Sequence, residues 1–102
     1  MTTLQHAYRK NTYSYIQVMR NEHAAMYAQM DGDRLVAYEV GYVKVRADGE
    51  INGRAIEGGE CFWSNEDFGS IAWSILTKDK AMERYWSITR AALAKPVKLE
   101  AA

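Results

Sequence analysis

Residues 34–46 read RLVAYEVGYVKVR, the most strand-like stretch of the chain. Val36, Tyr38, Val40 and Tyr42 keep one parity, and Val43 and Val45 then take the other. Alternation with a period of two belongs to a strand with one face buried. A change of parity inside such a strand predicts a bulge or sharp bend, and Gly41 stands where it is needed.

Working upstream, Asp31-Gly32 is a hairpin signal, because glycine takes positive φ without steric cost. Before it, residues 23–30 (HAAMYAQM) place Ala24, Met26, Ala28 and Met30 on one parity. Alanine and methionine also favour helices, so the flanking turns decide for a strand. Asn21-Glu22 reads as a turn. Residues 12–20 (TYSYIQVMR) form another strand, with Ile16 and Val18 on one face and Tyr13 and Tyr15 on the other. Residues 1–11 are polar and aperiodic, which predicts a loose arm or a first short strand.

Downstream, Asp48-Gly49 is a second hairpin signal, and residues 51–57 return as a shorter strand. Gly58-Gly59 interrupts it before the apolar run Cys61-Phe62-Trp63. Ser64-Asn65-Glu66-Asp67 starts a helix, with serine as cap and acids at the positive end, and Gly69 limits it to about one turn. Residues 70–76 (SIAWSIL) read as a last strand through Ile71, Trp73 and Ile75. Thr77 caps a final helix from Lys78 to about Lys95, where Pro96 ends it. At about 100° per residue, Ala81, Met82, Tyr85, Trp86, Ile88, Thr89, Ala92 and Leu93 fall within an arc of about 160°. One wide apolar stripe requires a sheet face to cover it. The fold class is therefore α+β: an antiparallel meander of four to five strands packed against one C-terminal amphipathic helix. Residues 1–102 are expected to form one domain, with 1–11 and 97–102 loose.

The bulk composition agrees with a globular chain. Of 102 residues, 48% are hydrophobic and 25% charged, and one is proline. A domain of this size buries about 65% of its unfolded surface, enough to fold without disulfides or metal. No apolar run approaches the ~20 residues of a membrane helix, so no membrane partner is expected. The single Cys61 excludes an internal disulfide and fits a reducing compartment. Residues 1–11 lack the apolar run of a secretion signal. A cytoplasmic location is expected. Thirteen basic and thirteen acidic residues cancel, so no strong overall field attracts nucleic acid.

No stretch has the residue types and spacing that a known chemistry requires. His6, His23 and Cys61 show no paired spacing for a metal. Cys61 reads as a small buried hydrophobe rather than a nucleophile. Glu57, Glu60, Glu66 and Asp67 could supply a catalytic pair, but acids around a turn serve more often as cap and solvated rim. The glycines form no phosphate loop. No catalytic residue, metal ligand or cofactor is assigned, and the chain is expected to be non-enzymatic.

The aromatic content raises two binding roles. Tyr13, Tyr15, Tyr38 and Tyr42 could present an open sheet face on which single-stranded bases stack. Nucleic acid is the weaker of the two, because such platforms usually sit in a basic groove. The same kind of face suits a protein partner or a second copy of the chain in a homodimer.

At residues 63–73, WSNEDFGSIAW, with Tyr38-Glu39-Val40 upstream and the aromatic helix downstream, the chain resembles short uncharacterised proteins of bacteria, phages and mobile elements. These carry an SNEDFG-then-AW block. The likeness spans residues 35–90, with Trp63 standing where the pattern has proline. It implies a context, a small accessory protein of a phage or mobile element that binds and inhibits a host machine such as a defence nuclease. It assigns no functional residues. The expected contact surface is residues 57–73, with Glu57, Glu60, Trp63, Asn65, Glu66 and Asp67 meeting a protein partner. Reversing Glu60, Glu66 and Asp67 should then abolish binding at little cost in stability.

Overall fold

The computed structural model describes residues 2–94. In chain order its strands begin with β1 (Ala7–Lys10), β2 (Tyr13–Arg20), β3 (Ala24–Asp31) and β4 (Arg34–Tyr42). Three short pieces follow as β5 (Lys44–Arg46), β6 (Gly49–Ile51) and β7 (Arg54–Ile56). β8 (Gly59–Cys61), β9 (Ala72–Ile75) and the helix α1 (Lys78–Ala94) complete the order. An antiparallel sheet runs β1-β2-β3-β4-β9, and β5-β8 and β6-β7 are separate two-stranded ladders. This is the α+β class expected: an antiparallel sheet of five strands with one C-terminal helix. Of residues 23–30, Ala24 onward form strand rather than helix, and His23 lies in the preceding bend. The expected tail at 97–102 lies outside the described residues.

Residues 43–71 make an excursion between β4 and its neighbour β9, and here the sequence signals point to the wrong places. The hairpin turn is Asn52-Gly53, not Asp48-Gly49. Both turn residues have positive φ, 52° and 77°, the conformation that a two-residue hairpin needs. Asp48 instead accepts the Gly58 N–H at 2.5 Å and ties the base of the hairpin to β8.

Gly41 is not a bulge. It pairs in register with Ala25 on one side and Ala72 on the other. A Cβ there would stand 2.5 Å from the Ile71 carbonyl oxygen and 2.8 Å from the Trp63 ring, so glycine is required by close approach. The change of parity comes at Val43, between β4 and β5, where the Val43 N–H reaches the His23 carbonyl at 2.9 Å. The register shifts lie elsewhere, between Gln17 and Met19 and opposite Gln29–Met30.

The β2–β3 connection is held by Asn21. Its Oδ1 accepts from the N–H groups of His23 and Ala24 at 2.7 and 2.9 Å, an Asx turn. Its amide donates to Thr89 Oγ1 on α1 at 2.9 Å. One residue thus closes a turn and docks the helix.

The sheet carries a core on each face. Under α1 lie Ala24, Met26, Tyr38 and Val40, packed on Ala81, Tyr85 and Ile88. On the other face Tyr15, Ala25, Tyr27 and Ala72 are covered by Leu4 and Trp63, with Phe62, Phe68 and Ile71 beside them. Consequently residues Ala24–Tyr27 are buried on both sides. The face that a one-helix sheet would leave open is roofed by the excursion.

Residues 2–6 are drawn into this roof. Thr2 exchanges backbone hydrogen bonds with Gly58 and Glu60 at 3.1 and 2.9 Å, and Leu4 is buried. With β1 following, the short-strand alternative is the one that forms. Along the helix, Ala81, Tyr85, Ile88 and Thr89 of the expected stripe are buried. Trp86 and Leu93 stay 42% and 69% exposed, because α1 packs on β3, β4 and β9 and among the described residues nothing covers its other flank.

Candidate binding cleft around Glu39

The residues expected at a contact surface in 57–73 separate into two groups. Glu60 belongs to the framework. The Arg20 guanidinium grips its carboxylate through two bonds, at 2.5 and 2.9 Å, and the Leu4 N–H donates to the same oxygen as the shorter, at 3.0 Å. The Arg20 hydrogen bonds hold the Glu60 carboxyl below its usual range. Trp63 is buried, and its indole N–H donates to the Tyr42 carbonyl at 2.8 Å. Asp67 receives the Lys44 ammonium at 2.7 Å and the Ser64 N–H at 2.8 Å, closing a 3-10 turn at Asn65–Asp67. Lys44 holds its carboxyl low.

Glu57, Asn65 and Glu66 are exposed. Glu57 sits away on the β7–β8 connection, its carbonyl accepting from Arg46 at 3.3 Å. Of the six, Asn65 and Glu66 alone lie on the exposed side of the 3-10 turn. The expectation that Glu60, Glu66 and Asp67 can be reversed without loss of stability is therefore corrected: Glu60 holds the roof onto β2 through Arg20, and Asp67 ties the 3-10 turn to β5 through Lys44.

Beside that turn, on the face opposite α1, a cleft of about 310 Å³ opens. Its walls are built by register. Tyr15 faces Gln29 across β2–β3, and Glu39 lies between Tyr27 and Ser74 across β3–β4–β9. Tyr13 and Lys10, paired at the end of β1–β2, line one side, and Asn65 and Phe68 from the turn line the other. Tyr15 is fixed by the amide of Gln29 at 3.0 Å and by Tyr8, stacked on it with ring centres 4.8 Å apart.

Glu39 is the unusual member. It is half-buried on a central strand, and among the described residues its carboxylate makes no hydrogen bond or ion pair. Burial pushes its carboxyl above the ordinary glutamate value, and the Lys10 ammonium opposes that. The phenols of Tyr8 and Tyr15 are raised too, first by burial and then by the charge of Glu39. A desolvated carboxylate without a partner costs stability, and groups perturbed in this way cluster at functional sites.

The four tyrosines expected on one face do not share it. Tyr13 and Tyr15 belong to the cleft side, whereas Tyr38 and Tyr42 pack in the helix-side core. The bulged register does not mix these sets, because Tyr15 and Tyr38 meet β3 at Gln29 and Ala28, residues of opposite parity. A continuous stacking platform of these four is thus not formed.

Sequence reading missed Glu39, Gln29 and Lys10. The available signal was parity: Ala37, Glu39 and Gly41 alternate opposite Tyr38 and Val40, which puts an acid between two small residues. Its meaning depends on the roof, which period alone does not reveal. Among the described residues no group of three His, Cys, Asp or Glu converges as a metal site. No helix among them is long and apolar enough to cross a membrane. No family model, curated protein or solved structure matches the chain.

Proposed function

We propose that the protein is a non-enzymatic binding module that engages a partner protein through the face carrying the Glu39 cleft, with Asn65 and Glu66 on the turn beside it. The observation that carries this is the unpaired carboxylate in the cleft. Among the described residues that group has no partner to offset its desolvation, which is the expected state of a site awaiting a ligand.

Three further points support it. Most of the surrounding side chains are rings and amides, which bind and orient, with the Lys10 ammonium and the Ser74 hydroxyl besides. Tyrosine and phenylalanine give large contact area at small entropic cost. The resemblance to short proteins of phages and mobile elements supplies a setting, an accessory protein acting on a host machine, with a defence nuclease as one such target. A cytoplasmic site of action accords with the single unpaired Cys61. The alternative of a single-stranded nucleic-acid binder has less support, since its four tyrosines are divided between two faces. Self-association through the cleft face is separated from it by the solution mass of the pure protein.

The test is affinity capture from bacterial lysate, washed at low and high salt, with wild type and an Asn65→Lys, Glu66→Lys double variant. Wild type should retain one stoichiometric protein through the high-salt wash, and the double variant should lose it at an unchanged melting temperature. Equal retention by both would remove this face from the account. Recovery of nucleic acid alone, lost at high salt, would favour the alternative.

A further inference from the structure

The cleft also has a chemical preference, and deriving it rests on the binding reading above. We propose that the Glu39 cleft takes a single cationic group, the ammonium or guanidinium of a lysine or arginine side chain presented by the partner protein. Glu39 provides the charge complement, since among the described residues no group within hydrogen-bond reach neutralises it. The rings of Tyr13, Tyr15 and Phe68 stand in the same walls, and aromatic faces attract cations most strongly where water is excluded. Ser74 and Asn65 add oxygen acceptors for the remaining N–H groups. An anionic ligand would have to approach Glu39 against its charge. The volume, about 310 Å³, is at the small end of ligand clefts and suits one side chain rather than a folded segment.

Lys10 is the cation already at the mouth. It is exposed, it acts on Glu39 through space, and it makes no ion pair with it. Lys10 is therefore a competitor for an incoming cation, and would instead be an anchor for an incoming anion. Removing it has opposite consequences in the two cases.

Binding a cation favours the ionised carboxylate, so affinity should fall as pH drops through the raised Glu39 value. The other charged or titratable groups facing it are Lys10 and Tyr8 from β1 and Tyr13 and Tyr15 from β2. β3 contributes Tyr27 and the neutral Gln29, β9 contributes Ser74, and the turn contributes Asn65 with Glu66 beside it. Glu66 is the one other carboxylic acid among these.

The experiment titrates the full chain with n-butylammonium and n-butylguanidinium, with n-butanol and butyrate as controls, following backbone amide shifts and the Glu39 carboxyl carbon by NMR. The cations should move the amides of Glu39, Gln29, Ser74 and Asn65, and should lower the Glu39 carboxyl pKa on saturation. Glu39→Gln should abolish this with the dispersed spectrum retained, and Lys10→Met should tighten it about two- to fivefold, the worth of one exposed charge interaction. Equal shifts with butanol, tighter binding of butyrate, or cation binding unchanged in Glu39→Gln would each overturn the proposal. If the cations fail here while Asn65→Lys, Glu66→Lys still loses the captured partner, the cation chemistry is wrong and the binding face stands. Retention of the partner by that double variant would remove the face itself.

Discussion

Arg20, at the end of β2, holds Glu60 of β8 by two hydrogen bonds of 2.5 and 2.9 Å across forty residues of sequence. This pair ties the excursion to the sheet and thereby sets the roof over the second core. Both side chains are largely shielded, at 26% and 17% exposure, and Glu60 also receives the Leu4 N–H. Removing one partner leaves the other short of its hydrogen bonds.

Glu60→Gln should therefore destabilise the fold by about 2 kcal/mol, read by urea unfolding. The pH dependence follows from the depressed carboxyl of Glu60. Its contribution is fully present above the unfolded glutamate value and is lost as pH falls through the lower folded value. The difference between wild type and variant should close in acid. A variant as stable as wild type at neutral pH would show that the roof is held by packing alone.

Gly41→Ala should cost at least about 3 kcal/mol, because the added methyl meets backbone as well as the Trp63 ring. Loss of near-ultraviolet tryptophan dichroism should accompany it. A neutral outcome would mean that β9 can shift outward without disturbing the indole.

Glu39→Gln should do the reverse. The folded Glu39 carboxyl is raised, so ionising it costs stability as pH climbs from the ordinary glutamate range through the folded value. The variant should be more stable than wild type at neutral pH and equal to it in acid. Solvent at the open mouth screens the charge and limits the gain to about 1 kcal/mol. Lower stability in the variant would indicate that Glu39 has a structural partner.

Leu93→Lys, on the exposed flank of α1, should change stability by less than about 0.5 kcal/mol and leave partner capture intact. Loss of capture would move the binding surface from the cleft to the helix.

How legible this was in the sequence depended on the range of the interactions. β4 and α1 declare themselves through local periodicity, as Tyr38 and Val40 alternate and Ala81, Tyr85 and Ile88 recur along one helical face. Thr77 and the Ser64–Asp67 turn are likewise local. The placement of residues 43–71 is not local. It depends on Arg20 meeting Glu60, on Trp63 reaching the Tyr42 carbonyl, and on Gly41 leaving room for the indole and the Ile71 carbonyl. Asp48-Gly49 carries the same turn chemistry as Asn52-Gly53, and pairing of β6 with β7 selects the second. Once the roof is placed, Glu60, Trp63 and Asp67 become framework, and Glu39, unremarked in a strand, becomes the floor of the cleft.

The most direct test of the central claim is photocrosslinking in bacterial cells from a benzophenone-bearing residue at one of three positions. These are Asn65 beside the cleft, Ala55 on the β6–β7 hairpin, and Leu93 on the far flank of α1. Crosslinking of position 65 to one protein, with 55 and 93 silent, is the expected result. Crosslinking from position 93 with 65 silent would place the partner on the helix and contradict the account.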